Sequence, residues 1–418
     1  MVKGVYTFIY YLLSPLMCIR WFFKSLKPPK YREPFRQRFG FVKKHKSTDL
    51  WFHAVSMGET SGAISIINKL LSSNPELNIV VTTTTPTGAK LLLENLGDKI
   101  THYYSPCDLP GSIKRFVSRV SPKLVVIMET ELWPNWLSYI NQQRIPIILA
   151  NARLSESSAR KYSFFKDASK SLFSKLSKVL AVNEADAQRF VSSGVSKSNV
   201  EITGNIKFDA EFPQANFDEY FPYWNKEFVW IAASTHHGED EQILQAHKQV
   251  AEVIPSAKLI LVPRHPERFE SVAELISQNG FQFSRRSERS SWKESASVLL
   301  GDTMGELLFA YEKSNVAFIG GSFVDIGGHN AIEAAYYSKP VLTGPDYHNF
   351  QYLFDSLIDI DAARVVIDNQ QLATQLILLA NDNIEAELMG EKARAFIDKN
   401  KGALEKVVTV IQGTLPKV

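Results

Sequence analysis

Three carboxylates and an amine sit where this sequence changes from apolar runs to polar turns. Ser56-Met57-Gly58-Glu59-Thr60 closes the run Leu50–Ser56. Gly58 lets the backbone approach a ligand closely, and Glu59, at the start of a helical stretch, suits removal of a proton from a hydroxyl. The same Ser-x-x-Glu spacing is also a capping box, in which the Glu59 carboxylate merely accepts from the Ser56 amide. Glu129 and Glu131 end the run Leu124–Glu131 and, two residues apart in an extended strand, point to one sheet face. Carboxylates at a buried strand end serve acid/base work or stabilise developing positive charge; the alternative is a structural ion pair with Arg153. Lys207, in Gly204-Asn205-Ile206-Lys207-Phe208-Asp209, suits a carboxylate or phosphate, or is an ordinary solvated lysine.

The second half of the chain carries a different chemistry. Pro263-Arg264-His265-Pro266 holds a guanidinium in a stiff turn, fit to grip a phosphate or a base edge. Gly301-Asp302-Thr303-Met304-Gly305-Glu306-Leu307 follows, then Gly320-Gly321-Ser322-Phe323, and then Gly327-Gly328-His329-Asn330-Ala331-Ile332-Glu333. Each combines a glycine turn with an expected helix start, whose free N–H groups favour phosphate. Thr303-x-x-Glu306 and Asn330-x-x-Glu333 also read as capping boxes. Each turn alone says little; three on successive strands of one domain point to a nucleotide. G-x-G-x-x-G and P-loop lysine motifs are absent, as is G-x-S-x-G. The histidines are scattered, with His236-His237 adjacent rather than four apart, so metal ligation has little support.

These side chains need strands to position them. Short Val- and Ile-rich runs recur from residue 50: Leu50–Ser56, Ile79–Thr85, Ile100–Pro106, Leu124–Glu131, Ile145–Asn151, Lys178–Asn183 and Val200–Ile206. A second set comprises Phe228–Ser234, Lys258–Pro263, Val298–Gly301, Val316–Gly320, Pro340–Thr343 and Arg364–Ile367. Helical stretches such as Gly62–Ser73 and Leu109–Val120 intervene. The alternation predicts an α/β protein of two doubly wound, Rossmann-like domains facing across a cleft, with ligands beyond the C-terminal ends of the strands. The expected boundaries are an anchor over 1–24, an N-terminal α/β domain over 25–211, a Pro-containing aromatic linker over 212–226 and a C-terminal nucleotide-binding α/β domain over 227–418. The last helix is expected to be able to pack back on the N-terminal domain.

Charge is nearly balanced, at +3 overall, but Lys24, Lys27, Lys30, Arg32, Arg36, Arg38, Lys43, Lys44 and Lys46 face only Glu33 in their stretch. That excludes a whole-protein nucleic-acid field. Cys18 and Cys107 are too few for a disulfide framework. Val5–Phe23 is mostly apolar and ends without a small-residue cleavage site, which argues against a cleaved leader. A spanning anchor fits its length, and an interfacial helix fits its aromatics; in both cases the basic run rests on anionic lipid.

Together these strings resemble the bacterial Kdo (3-deoxy-D-manno-octulosonic acid) transferases, lipid A-specific enzymes of lipopolysaccharide biosynthesis. The resemblance spans the whole chain, through the anchor, Trp51–Glu59, Met128–Asn135, Ala150–Ser155, Gly204–Lys207, Pro263–Arg268, Gly301–Leu307 and His329–Glu333. It implies a glycosyltransferase B-type fold and an inverting, metal-independent transfer of Kdo from CMP-Kdo to a lipid A precursor. No cofactor is implied, and the site is the cytoplasmic face of the inner membrane. By resemblance Glu59 is the general base, Glu129 and Lys207 stabilise the transition state, and Pro263, Arg264, Met304, Gly305, Glu306, Asn330, Ala331, Ile332 and Glu333 hold CMP. The turn Asp325-Ile326-Gly327-Gly328, with Ala331-Ile332 and Ala334-Ala335 after it, departs from the family pattern in loop detail. Another lipid-linked glycosyltransferase of this fold, a nucleotide-sugar epimerase and a silent membrane scaffold are the rival readings; the intact Glu59, Lys207 and Arg264 argue against the last.

Overall fold

The Val- and Ile-rich runs form short parallel strands in the computed structural model, which describes residues 2–25, 35–210, 212, 224, 227–288, 292–293 and 295–416. Continuous apolar runs suit strands buried on both faces. One sheet contains β1 (Thr48–Ala54), β2 (Ile79–Thr83), β3 (Thr101–Tyr104), β4 (Pro122–Met128), β5 (Ile147–Ala152), β6 (Lys178–Ala181) and β7 (Val200–Ile202), in the order β3-β2-β1-β4-β5-β6-β7. The other contains β8 (Val229–Thr235), β9 (Lys258–Pro263), β10 (Phe283–Arg285), β11 (Val298–Leu300), β12 (Val316–Ile319), β13 (Val341–Thr343) and β14 (Ala363–Val365), in the order β10-β11-β9-β8-β12-β13-β14. The edge strand β10 was not anticipated, because Phe-Ser-Arg lacks a Val- or Ile-rich run. The chain divides into two units, Met1–Ala210 with Asn400–Val418, and Glu211–Lys399. The expected linker over 212–226 lies almost wholly outside the described residues.

Each sheet reverses its winding once. In the first unit this happens between β1 and β4, and in the second between β8 and β12. A crevice opens at such a switch point, beyond the strand C-termini. The core holds those ends rigid. Leu50, Phe52, Val126 and Ile148 pack on one face against Ile64 and Ile67, while Trp51, Val125 and Ile127 pack on the other against Phe116 and Trp136. Each such side chain contributes roughly 1.5–3 kcal/mol by burial. The helix Ala403–Thr414, at the far end of the sequence, adds Val407, Val408 and Ile411 to the first of these clusters.

The N-terminal stretch forms helix α1 (Val2–Ser25), with Pro15 inside it. One face meets the first unit: the Thr7 hydroxyl donates to Asn135 Oδ1 at 3.0 Å, and the Asp108 amide donates to the Tyr10 hydroxyl at 3.4 Å. The other face, Val5, Phe8, Leu12, Leu16 and Ile19, is exposed. Among the described residues no helix is long and apolar enough to cross a membrane. The spanning form of the expected anchor is therefore not found; Thr7, Ser14 and Pro15 interrupt the apolar run. In the basic run that follows, Arg38 is turned inward, donating to Ser105 Oγ and to the Thr84 carbonyl. Lys27, Lys30 and Arg32 lie outside the described residues.

Candidate active site

In the first unit, Ser56 caps helix α2 (Met57–Ser73), and the capping box is formed. Glu59 N donates to Ser56 Oγ at 3.3 Å, and the Glu59 carboxylate accepts from Ser56 N at 3.1 Å and from Val55 N at 2.9 Å. Both carboxylate oxygens are thus held, and the residue is buried. Burial nevertheless pushes its pKa above the usual carboxylate range, against the hydrogen bonds from Val55 and Ser56 and with help from the charge of Glu129. The cap aims the carboxylate, and desolvation makes it a stronger base than a surface glutamate.

Glu129 adjoins it from the neighbouring strand. Its φ is +54°, in the left-handed region that L residues rarely occupy. β4 stops at Met128, so strand alternation does not extend to Glu131, and the expected shared sheet face is replaced by a turn. Glu131 is nonetheless held in the same electrostatic group: burial raises its pKa, and the charges of Glu59 and Glu129 raise it further. Arg153 pairs with neither carboxylate among the described residues; its carbonyl accepts from the Thr130 hydroxyl. The cation present is Lys207, whose Nζ lies 3.8 Å from Glu129 Oε1. Its turn, Ile206–Asp209, is fastened by side chains. Asn151 Oδ1 accepts from Ile206 N at 3.2 Å, Asn205 Oδ1 from Lys207 N at 3.1 Å, and the Asp209 carboxylate accepts from Gly402 N and Leu404 N. Asn151, like Glu129, is left-handed, at φ +52°. His53, in the string Trp51–Glu59, is a core residue: burial holds it neutral, its pKa lowered to about 3, and its Nδ1 meets Thr82 Oγ1 at 3.0 Å.

In the second unit, Pro263 ends β9 and Arg264 follows, its amide bonded to the Thr235 carbonyl at 3.0 Å. The Arg264 guanidinium has no hydrogen-bond or ion-pair partner among the described residues, so it is available to an anion. Burial pushes Glu333 up to about 7, with Arg264 pulling the other way. Ala331 and Ile332 are buried, and Asn330 Oδ1 accepts from Ile332 N at 3.2 Å. Met304 and Gly305 are exposed, Gly305 at φ +84°. Glu306 accepts from Arg286 at 2.8 Å and from the Thr303 hydroxyl at 2.5 Å. The two capping boxes expected here do not form. Leu307–Lys313 and Ile332–Tyr336 start at Glu306 and Ala331 with no side-chain cap bond, because the preceding polar side chains bond within their turns. Helices this short carry little dipole, and side chains must supply most of the charge for a phosphate.

Sequence reasoning missed a group at the β8–β12 switch point. Glu239 is fully buried, and its carboxylate accepts four amides: His236 N at 2.8 Å, Gly321 N at 2.7 Å, Ser322 N at 3.0 Å and Phe323 N at 2.9 Å. This clamp joins the turn after β8 to the glycine turn after β12. His236 and His329, 93 residues apart, thereby meet with their Nε2 atoms 2.8 Å apart. Only the strand order reveals such a meeting.

Two parallel α/β sheets, each with a polar cluster at its switch point, define the class as a protein of glycosyltransferase B-like fold. Solved structures agree on that fold alone. A UDP-N-acetylglucosamine 2-epimerase aligns over 89% of this chain and 97% of its own, at 12% identity and a TM-score of 0.60. Anabaena Alr3699/HepE in complex with UDP covers 88% and 99%, at 14% identity and a TM-score of 0.59. Residues 33–210 match the family model of 3-deoxy-D-manno-octulosonic-acid transferase (kdotransferase). The enzyme of that name from Haemophilus influenzae is 37% identical over the full length of both chains, and that of Bordetella pertussis is 32% identical over 99% of this chain and 100% of its own. The chain belongs to the Kdo transferase family and is a glycosyltransferase.

Proposed function

We propose that this enzyme moves Kdo from CMP-Kdo onto a hydroxyl of a lipid A precursor, with inversion at the anomeric carbon. The observation that carries the chemistry is the first unit's switch point, where Glu59, Glu129 and Lys207 meet. Glu59 takes the proton of the acceptor hydroxyl. That oxygen bonds to the anomeric carbon, the carbon–oxygen bond to CMP breaks, and its electron pair stays on the phosphate. Lys207 and Glu129 stabilise the charge that develops around the sugar. The phosphate of CMP lies on Arg264, and the nucleotide rests on Pro263, Met304, Gly305, Glu306, Asn330, Ala331, Ile332 and Glu333.

The lipid acceptor requires a membrane. Helix α1 supports an interfacial docking, since its exposed face is apolar and its polar face is bonded to the protein. Lys43, Lys44 and Lys46 are exposed nearby in sequence and suit anionic headgroups, on the inner-membrane surface where such an acceptor is found. The test is a mass spectrum of the products formed by purified full-length enzyme with CMP-Kdo and a tetra-acylated precursor. A mass gain of one or more Kdo residues is expected. An unchanged acceptor, with turnover of a UDP-sugar instead, overturns the reading in favour of another donor or an epimerase.

A further inference from the structure

The strongest cluster left unassigned is the trio His236, His265 and His329, around the Arg264 guanidinium. His236 directly follows β8, and His329 lies in the loop that leads from β12 to the helix Ile332–Tyr336, at the second unit's switch point, where the fold places ligands. Their rings stack at 12° with centroids 5.0 Å apart, and the His236 and His265 rings meet edge-on at 5.3 Å. Gly321 permits this: a Cβ there would come within 2.9 Å of the His329 ring. The Glu239 clamp fixes both supporting turns. Among the described residues no group of three His, Cys, Asp or Glu side chains is placed to hold a metal ion.

An Nε2–Nε2 distance of 2.8 Å requires one proton between the two rings. In the neutral pair the ring that donates this proton has a bare Nδ1, and the ring that accepts it carries N–H at Nδ1. The pair then shows one donor and one acceptor outward. A further proton converts the bare Nδ1 to N–H, and the pair shows two donors and a positive charge. Which form prevails depends on its surroundings. Arg264, Arg268 and His265 face the pair, and Asp240 is the acid in range, itself bonded to Arg268 and Thr235. Glu239 is committed to four amides, and Glu333 is buried within range of the Arg264 charge. Burial, with Arg264 and Arg268 adding at His236 and Arg264 at His329, holds His236 below its ordinary pKa and His329 at about 4, so the pair is neutral at pH 7.

We infer that the His236–His329 pair is a phosphate receptor that takes up a proton as the anion enters. This rests on the donor reading above. A phosphate beside Arg264 turns a cationic pocket into one that favours the imidazolium, and the second N–H matches an oxygen that gains charge when the glycosidic bond breaks. The bond's electron pair stays on the phosphate and the extra proton stays on the imidazoles, so the pair stabilises the leaving group without protonating it.

Calorimetry of CMP binding to the full chain at pH 7.5, in buffers of different ionisation enthalpy, counts the protons. Uptake approaching one proton is expected with CMP and none with cytidine. Loss of a proton from the phosphate of CMP would give the opposite sign. His329→Gln and His236→Gln should abolish the uptake and weaken CMP about ten- to a hundredfold. Wild-type binding without uptake, or uptake that survives both substitutions, overturns the inference and leaves the donor reading intact. Failure of CMP to bind sinks the donor reading instead. In that case NMR titration of the wild-type imidazole signals with inorganic phosphate decides: raised pKa values for both rings support the receptor, and unmoved values refute it.

Discussion

β1 and β8 open two parallel sheets that each reverse their winding once, yet the side chains that follow them are opposite in character. At the first switch point Glu59, Glu129 and Glu131 gather beside the Lys207 ammonium. At the second, Arg264, Arg268 and three imidazoles gather around Asp240 and Glu239, both of which are already bonded. On the proposed reading, one crevice accepts a proton and the other receives negative charge. In the first, burial raises the pKa of Glu59 and Glu131 and the charge of Glu129 adds to both; in the second, burial lowers His236 and His329 and the Arg264 charge adds to both. The fold supplies two equivalent crevices, and their chemistry depends on a few residues at the strand ends.

Breaking the first crevice should have the largest effect. Glu59→Gln should lower turnover by about two to four decades while CMP affinity holds. The side-chain amide has one oxygen for the two amides of Val55 and Ser56, so unfolding in urea should also show a loss of about 1–3 kcal/mol. Near-normal turnover would leave Glu59 as a cap alone and make Glu131 the next candidate base. In the second crevice, Arg264→Ala should weaken CMP about tenfold or more by calorimetry, with the acceptor's KM little changed. Asn151→Ala removes the bond to Ile206 N and puts alanine at φ +52°, costing about 1–2 kcal/mol. Because that bond sets the Lys207 turn, kcat should fall several-fold with CMP affinity unchanged.

The smallest effect sharpens the contrast through pH. The folded pKa of Glu333 is raised from 4.5 to about 7, so its contribution to stability is fully present below 4.5 and is lost as pH rises through about 7. Relative to Glu333→Gln, the wild-type protein should lose urea stability across that window. The contribution of His329 changes in the same range but is common to both proteins and cancels in the comparison. Parallel stability profiles would show that Glu333 is not desolvated.

The strands were legible because runs such as Leu124–Met128 are apolar throughout, and only the three-residue edge β10 escaped. Glu59, Glu129 and Lys207 were legible by kind, though the shared sheet face of Glu129 and Glu131 was not, since the turn to φ +54° ends the strand first. The histidine pair was hidden. His237, beside His236 in sequence, is exposed and takes no part, whereas the true neighbour lies 93 residues on and becomes adjacent only through the β8–β12 pairing. The sequence left the anchor open between a spanning and an interfacial form, because length and apolar content do not reveal that Thr7 and Tyr10 bond to the protein.

The helix Ala403–Thr414 fills the core of a unit whose other residues end at Ala210. On the ribosome, the whole second unit is therefore synthesised before the first can close. At about 5–20 residues per second this leaves Ile64, Ile67 and Ile206 without their last packing partners for tens of seconds. A nascent chain stalled before residue 400 should bind holdase chaperones through that face and lose them once the final helix emerges. The carboxylate and Lys207 cluster is thus completed late, with Asp209 receiving the Gly402 and Leu404 amides only after the whole second unit has been made.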